Sequence, residues 1–122
     1  MPLVKRLKRR HPRGKVISPA AELRRDLGLN QTDFARLVGA SARSVINWEA
    51  GRHPRGLSDQ RLMELRRMHR RLAQVIKPSA IGPWFLTPNR AFGGLKPLEV
   101  IERGETDRIW KMLYELHAGA LS

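Results

Sequence analysis

The sequence predicts an all-α protein. Apolar residues recur at three- and four-residue spacing along most of the chain, and Ser, Asn, Pro and Gly stand where these runs begin and end. The stretch 27–51 predicts two short helices that meet at a tight turn. We expect the remaining helices to present this pair or to couple it to a partner.

Composition limits the possible functions. A chain of 122 residues has room for one or two small domains, but not for a large enzyme fold. A net charge of +13 indicates an acidic partner, most simply nucleic acid, and no apolar run is long enough to cross a membrane. Cysteine is absent, the four histidines lack ligand spacing, and no nucleophile with a nearby base is recognisable. We therefore expect no metal, no cofactor and no catalysis.

Residues 1–17 are basic and contain no acidic residue, so we expect this segment to be a disordered arm when it is free. Its side chains are candidates for tracking phosphates or entering a minor groove of DNA. The candidates in this arm are Lys8, Arg9, Arg10 and Arg13. The alternative is a tail that only increases solubility.

Three short helices are predicted over about 19–27, 31–38 and 42–50. Each begins after a residue whose side chain can accept from an unpaired backbone amide, and each ends at a glycine. In the first helix Pro19 also occupies the first position, where its fixed φ is favourable. The capping residues are Ser18, Asn30 and Ser41, and the terminating residues are Gly28, Gly39 and Gly51.

The second and third helices carry a recognisable set of positions, namely Asn30-Gln31, Ala35, Val38-Gly39, Ser44-Val45, Trp48-Glu49 and Gly51. In these positions, residues 18–57 resemble the helix-turn-helix of the Xre and phage-repressor family. The resemblance implies that the second helix of the motif, which is the helix predicted over 42–50, enters the major groove of an operator. By position, the base-reading residues are Ala42, Arg43 and Asn47, and the phosphate-binding residues are Gln31, Ser41 and Ser44.

The chemistry of these side chains suits those roles. Arg43 can donate two hydrogen bonds to guanine, Asn47 can pair with adenine, and Ala42 can touch a thymine methyl. In the basic turn that follows, Arg52 and Arg55 can reach backbone phosphate. The alternative is an ordinary solvated helix hairpin.

A long helix is predicted from a Ser58 cap to about Ile76, with an apolar stripe along one side. We interpret the basic residues on its other side as a solvated face whose aliphatic stems cover the core. The alternative is a second DNA contact or a surface for an acidic protein. These residues are Arg66, Arg67, Arg70 and Arg71.

Lys77-Pro78 marks a predicted boundary between residues 18–77 and 78–122, because proline disfavours helix in the residue before it. The second part is nearly balanced in charge and holds most of the aromatic residues. Pro97 is predicted to open a short helix, and Thr106 to cap a last one.

The second part carries the pattern Ala80-x-x-x-Trp84-Phe85-Leu86-Thr87-Pro88-Asn89, followed by Gly93-Gly94, Pro97-Leu98, Gly104 and Leu113. In this pattern it resembles the small helical C-terminal domain of the MbcA/ParS/Xre antitoxins. The resemblance implies binding of a RES-fold toxin that consumes NAD. The alternative is that Trp84, Pro88 and Pro97 serve that domain's own core and turns. The residues assigned to toxin binding are Trp84, Phe85, Pro88, Asn89, Arg90, Phe92, Trp110 and Tyr114.

Together, these resemblances imply an antitoxin that represses its own operon and inhibits a RES-like toxin. We expect a homodimer within a larger assembly with toxin, in the bacterial cytoplasm and on the nucleoid when DNA is bound. The alternative is a plain Xre-type repressor whose C-terminal part only dimerises.

Overall fold

The computed structural model describes residues 17–121, and this part of the chain is all-α, as predicted. The basic arm lies outside it, except for Ile17. The described part contains seven α-helices and one 3₁₀ turn over Arg90–Phe92. The helices are α1 (Pro19–Leu27), α2 (Gln31–Val38), α3 (Ala42–Glu49), α4 (Gly56–Leu72), α5 (Pro78–Phe85), α6 (Pro97–Glu102) and α7 (Thr106–Leu121).

The predicted caps of the first three helices are confirmed. The Ser18 hydroxyl accepts from the amide of Ala21 at 3.0 Å, and the Asn30 side chain accepts from Asp33 at 2.8 Å. The Ser41 hydroxyl accepts from the amide of Ser44 at 3.1 Å. Each cap satisfies a backbone donor that has no partner within its own helix, so these starts are fixed by local chemistry.

The turn between α2 and α3 depends on Gly39, whose φ of +67° lies in the left-handed region. In this conformation its amide can reach back to carbonyls in the last turn of α2, which ends the helix. Only three residues then separate α2 from α3, so the two helices meet at a tight turn, as predicted.

Helix α4 differs from its prediction at both ends. It begins at Gly56 with Arg55 as the N-cap residue, so Ser58 lies inside the first turn and the predicted Ser58 cap is wrong. It ends at Leu72, four residues before Ile76. There Val75 donates to the Leu72 carbonyl at 2.9 Å, which tightens the last turn before Pro78.

The final helix begins at Thr106 itself, so Thr106 is its first residue and not its cap.

One hydrophobic core joins both parts of the chain. Helix α4 links the two parts of the core, because it packs against α2 from the first part and against α7 from the second. Its buried residues Met68 and Leu72 share this core with side chains of both parts. Those side chains include Phe34, Val38 and Val45 from the first part, and Ile81, Phe85, Leu98, Ile109 and Leu113 from the second.

Three contacts across position 77 reinforce this shared core. A β-carbon added to Gly82 would lie 1.9 Å from the Leu27 carbonyl oxygen, so α5 rests directly on the end of α1. The Arg36 guanidinium donates two hydrogen bonds to the Glu102 carboxylate, at 2.7 and 2.8 Å. The Trp110 indole donates to Glu64 at 2.9 Å. Lys77-Pro78 therefore separates two sequence patterns without separating two cores.

Candidate functional site

Helix α3 presents a face on which the predicted base-reading residues lie. Arg43 is exposed, while Ala42 and Asn47 are half-buried. The opposite face is anchored by Val45 and Trp48, which are buried at 0% and 6% exposure. Because the anchored face packs against α1 and α2, the orientation of the exposed face is fixed by the core.

Ile46 lies on the surface of α3, which the sequence did not predict. Its side chain is 48% exposed, although an isoleucine beside two core residues would ordinarily be buried. It lies three residues after Arg43 and four after Ala42, so these side chains share one face of α3. Helical spacing from Arg43 was the signal that could have identified it.

The N-terminus of α3 carries the two predicted phosphate-binding serines. The Ser41 and Ser44 hydroxyls lie 3.1 Å apart, at the end where the helix dipole is positive. Exposed Arg52 and Arg55 line a concave surface that continues from this helix. That surface is lined by Ser44, Asn47, Trp48, Arg52, His53 and Arg55. Lys8, Arg9, Arg10 and Arg13 lie outside the described residues.

Gln31 takes part in a cluster that ties α1, α2 and α3 together. Its side-chain amide donates to Glu49 at 3.0 Å, and the Arg24 guanidinium donates to both oxygens of that carboxylate. Arg24 also donates to the Leu29 carbonyl at 3.0 Å. The hydrogen bonds from Arg24 lower the pKa of Glu49, against the opposing effect of its partial burial.

The lowered pKa of Glu49 predicts a loss of stability in acid. A carboxyl whose folded pKa lies below its unfolded value of about 4.3 contributes stability above that pH, and this contribution disappears as the pH falls through the folded pKa. We expect Glu49→Gln to lower the free energy of unfolding by about 1–2 kcal/mol at pH 7 and to make the acid loss shallower.

Denaturant unfolding measured from pH 7 to pH 3 tests this prediction. Some acid dependence should remain in the variant, because Arg36 lowers the pKa of Glu102 as well. Glu22→Gln is the matched control, since Glu22 is exposed and makes no ion pair within residues 17–121. Parallel curves for Glu49→Gln and the unmodified protein would contradict the assignment.

Two residues assigned to toxin binding are corrected by the structure. Phe85 is 0% exposed and Phe92 is 2% exposed, so their side chains lie in the shared core and have no surface to offer a partner. Because both side chains are buried, we assign them to packing of the core and not to contact with a partner.

Trp84 lies between the core and the surface. It is half-buried, and its ring packs edge-to-face on Phe85 and Phe92, with centroid distances of 5.0 and 6.4 Å. Trp110 is also half-buried and directs its indole nitrogen to Glu64. Each of these tryptophans leaves only part of its ring for contact with a partner.

The other assigned residues reach the surface. Pro88 and Arg90 are exposed, and Tyr114 is 69% exposed. Asn89 is half-buried, and its side chain accepts from the amide of Ala91 at 2.9 Å, so one of its roles is to cap the 3₁₀ turn. Tyr114 lies four residues after Trp110, and the two therefore share a face of α7.

Residues 17–121 contain no group of three or more His, Asp or Glu side chains arranged to hold a metal ion. Among the same residues, no helix is both long and apolar enough to cross a membrane.

Comparison with known proteins identifies relatives, although no protein-family model matches the chain. The mycobacterial cidal antitoxin MbcA of Mycobacterium tuberculosis is 34% identical over 94 residues, which cover 76% of this chain and 83% of MbcA. The MbcA of Mycobacterium bovis gives the same values. A probable mycobacterial cidal antitoxin of M. tuberculosis is 29% identical over 76 residues, covering 62% of this chain and 65% of that protein.

The fold is similar to that of a solved structure as well. A chain in the crystal structure of the M. tuberculosis MbcT–MbcA toxin–antitoxin complex matches with a TM-score of 0.68 and 31% identity. The match covers 83% of this chain and 92% of that chain. Sequence and fold therefore agree, and the chain belongs to the MbcA family of antitoxins.

Proposed function

We propose that this protein is the antitoxin of a type II toxin–antitoxin system, and that it binds and inhibits a RES-fold toxin that consumes NAD. The observation that carries the proposal is the similarity to MbcA along most of both chains, together with the matching fold in a toxin–antitoxin complex. Binding is sufficient for this function, so we assign no catalytic residue and no cofactor.

The toxin-binding surface that we propose lies on the second half of the chain. Exposed Arg90 begins the 3₁₀ turn, and exposed Pro88 lies two residues before it. Tyr114 and the accessible part of Trp110 lie on one face of α7. Tyrosine and tryptophan are favoured in protein interfaces, because a rigid ring offers a large contact area at little cost in conformational entropy. The exposed part of Trp84 and the polar groups of Asn89 complete the proposed contacts.

Co-expression tests the antitoxin function. We expect the toxin encoded with this protein to stop growth and deplete NAD when expressed alone, and co-expression with this chain to prevent both effects. Rescue of growth with no stable complex between the two proteins would contradict direct inhibition, as would a complex that leaves NAD depleted.

Tyr114 tests the location of the contact. We expect Tyr114→Ala to weaken toxin binding by about tenfold or more, as truncation of an aromatic anchor does, and to leave the unfolding temperature nearly unchanged. Leu57→Ala is the matched control, because Leu57 is 60% exposed on α4 in the other half. Titration calorimetry on both variants gives the affinities, and equal losses would place the contact elsewhere.

We further propose that helix α3 binds operator DNA, so that the protein represses its own operon. Arg43, Asn47 and Ala42 are the proposed base contacts, and we add Ile46 because an exposed isoleucine on this face suits a thymine methyl. Gln31, Ser41, Ser44, Arg52, Arg55 and the four basic arm residues are the proposed phosphate contacts. A homodimer would let two such helices read two half-sites, and the protein would then act on the bacterial nucleoid.

Arg43→Ala tests the DNA contact. We expect the variant to lose about 1–3 kcal/mol of operator affinity and to relax the preference at one base pair, because a bidentate contact to guanine disappears. Arg25→Ala is the matched control, since Arg25 is exposed on α1 and makes no ion pair within the described residues. Mobility-shift titrations should use the operator and a random duplex, and a uniform loss on both would mean that Arg43 contacts only the backbone.

A further inference from the structure

A groove of about 540 Å³ runs between the start of α1, the turn after α3 and helix α4, and we call it the α1–α4 groove. It is formed by residues of the first half of the chain, and two of them, Arg67 and Arg70, also line a neighbouring depression with Trp110. Its floor is apolar and is formed by Ile17, Ala20, Trp48, Leu62 and Met63. None of the functions proposed above uses this floor.

Two floor residues are exposed where large apolar side chains are ordinarily buried. Ile17 is 48% exposed and Met63 is 52% exposed, although Trp48 and Leu62 beside them are buried. The exposed apolar surface is therefore continuous with the core, and a partner that covers it gains hydrophobic stabilisation from residues that are already anchored.

The rim of the α1–α4 groove is strongly basic. Four arginines line it, and within residues 17–121 none of them forms an ion pair. The only carboxylate among the lining residues is Asp59, while Glu22 and Asp26 lie beyond the groove in a neighbouring depression that Arg66 and Arg70 also line. The four arginines are Arg52, Arg66, Arg67 and Arg70.

The apolar floor and the basic rim together argue against three possible occupants of the groove, namely the N-terminal arm, a second copy of this chain and nucleic acid. The first 16 residues of this chain carry seven basic side chains and no acidic one, so the rim repels them. A second copy of the groove carries the same excess of arginines. A phosphate backbone complements the rim, but it offers nothing apolar to Ile17 and Met63.

We propose that the α1–α4 groove binds an acidic amphipathic helix of a partner protein. Aliphatic side chains at helical spacing lie on the floor formed by Met63 and its neighbours, and Glu or Asp side chains on the flanks pair with the arginines. Helix-in-groove binding of this kind buries the apolar stripe of the partner and leaves its charges at the polar edge.

Arg52 connects this groove to the proposed DNA-binding face. It lines both the α1–α4 groove and the concave surface beside α3. An acidic helix that pairs with Arg52 withdraws that cation from phosphate, so the two ligands weaken each other by the same factor.

A designed peptide of about 14 residues, roughly four helical turns, is the probe. It carries Leu at positions i, i+3, i+4 and i+7 and Glu at most other positions, and its binding to the full chain is followed by fluorescence anisotropy. We expect binding that is lost when the leucines are replaced by serine and when the glutamates are replaced by lysine. Equal binding of the serine peptide would overturn the proposal, because charge alone would then explain it.

Substitutions in the groove locate the binding. We expect Met63→Glu and Arg70→Glu each to raise the Kd of the peptide by about tenfold or more, because one introduces a carboxylate on the apolar floor and the other reverses a rim charge. Both residues are exposed, and circular dichroism checks that the variants are folded. Met63→Leu and Arg25→Glu are the controls, since the first keeps the floor apolar and the second changes the same charge outside the groove.

The same variants separate a protein ligand from nucleic acid. Met63→Glu should weaken binding to a random duplex much less than it weakens peptide binding, since phosphate does not use the floor and meets only one added negative charge. Equal losses for duplex and peptide would identify the groove as a nucleic-acid contact and overturn the proposal. Unchanged peptide affinity in both groove variants would overturn it as well.

Discussion

Replacement of Gly82 by alanine is expected to destabilise the whole chain by about 3 kcal/mol or more. The added β-carbon would lie 1.9 Å from the Leu27 carbonyl oxygen and 3.1 Å from the Leu27 carbonyl carbon. Both atoms belong to the backbone at the end of α1, so no side chain can rotate away to make room. Helix α5 must move off α1, and the shared core opens at the junction.

Gly119→Ala is the matched control for this prediction. Like Gly82, Gly119 lies in a helix, but it is exposed, and a β-carbon there would meet nothing within 4 Å. Because alanine is the better helix former, the control should be neutral or more stable by up to about 1 kcal/mol. Thermal unfolding followed by circular dichroism compares the two variants. A Gly82→Ala protein that melts with the control would show that α5 does not rest on the end of α1.

Phe92→Ala is expected to lower the free energy of unfolding by about 3–5 kcal/mol, as the loss of a buried aromatic ring usually does. Phe92 is 2% exposed, its ring packs against Trp84, and the Arg108 guanidinium lies 5.7 Å from the ring centroid. Its loss would leave a cavity between the 3₁₀ turn and α7 and would remove a cation–π contact.

Tyr114→Ala provides the contrast, because Tyr114 is 69% exposed and its truncation opens no cavity. Urea titrations of both variants should give a large loss for Phe92→Ala and less than about 1 kcal/mol for Tyr114→Ala. The toxin affinity of Phe92→Ala, measured where the variant is folded, should remain close to that of the unmodified protein. A stable Phe92→Ala variant that fails to bind toxin would restore Phe92 as a contact.

Local features of the fold could be predicted from the sequence because they depend on neighbouring residues. Ser18, Asn30 and Ser41 each accept from an amide three residues ahead, and that chemistry needs no knowledge of the rest of the chain. Ser58 shows the limit of this reasoning. It has the right side chain for a cap, but the chain enters α4 two residues earlier.

Features that depend on distant residues could not be predicted in this way. An aromatic pattern does not distinguish Phe92, which is buried, from Tyr114, which is exposed, because burial is decided by how α5 and α7 pack. Arg36 and Glu102 are 66 positions apart, and no periodicity relates them. The α1–α4 groove is likewise assembled from three separate segments, so the arginines that α4 contributes to it looked like an ordinary solvated helix face in the sequence.

The shared core has a consequence for how such a protein is removed from the cell. Because Gly82, the Arg36–Glu102 pair and Met68 join both halves, partial unfolding of one half exposes apolar surface of the other. A protease that captures an opened chain therefore meets one cooperative unit and degrades the proposed DNA-binding and toxin-binding surfaces together. Under the proposed function, a single proteolytic event would release the toxin and clear the operator at the same time, and no truncated repressor would remain to silence resynthesis.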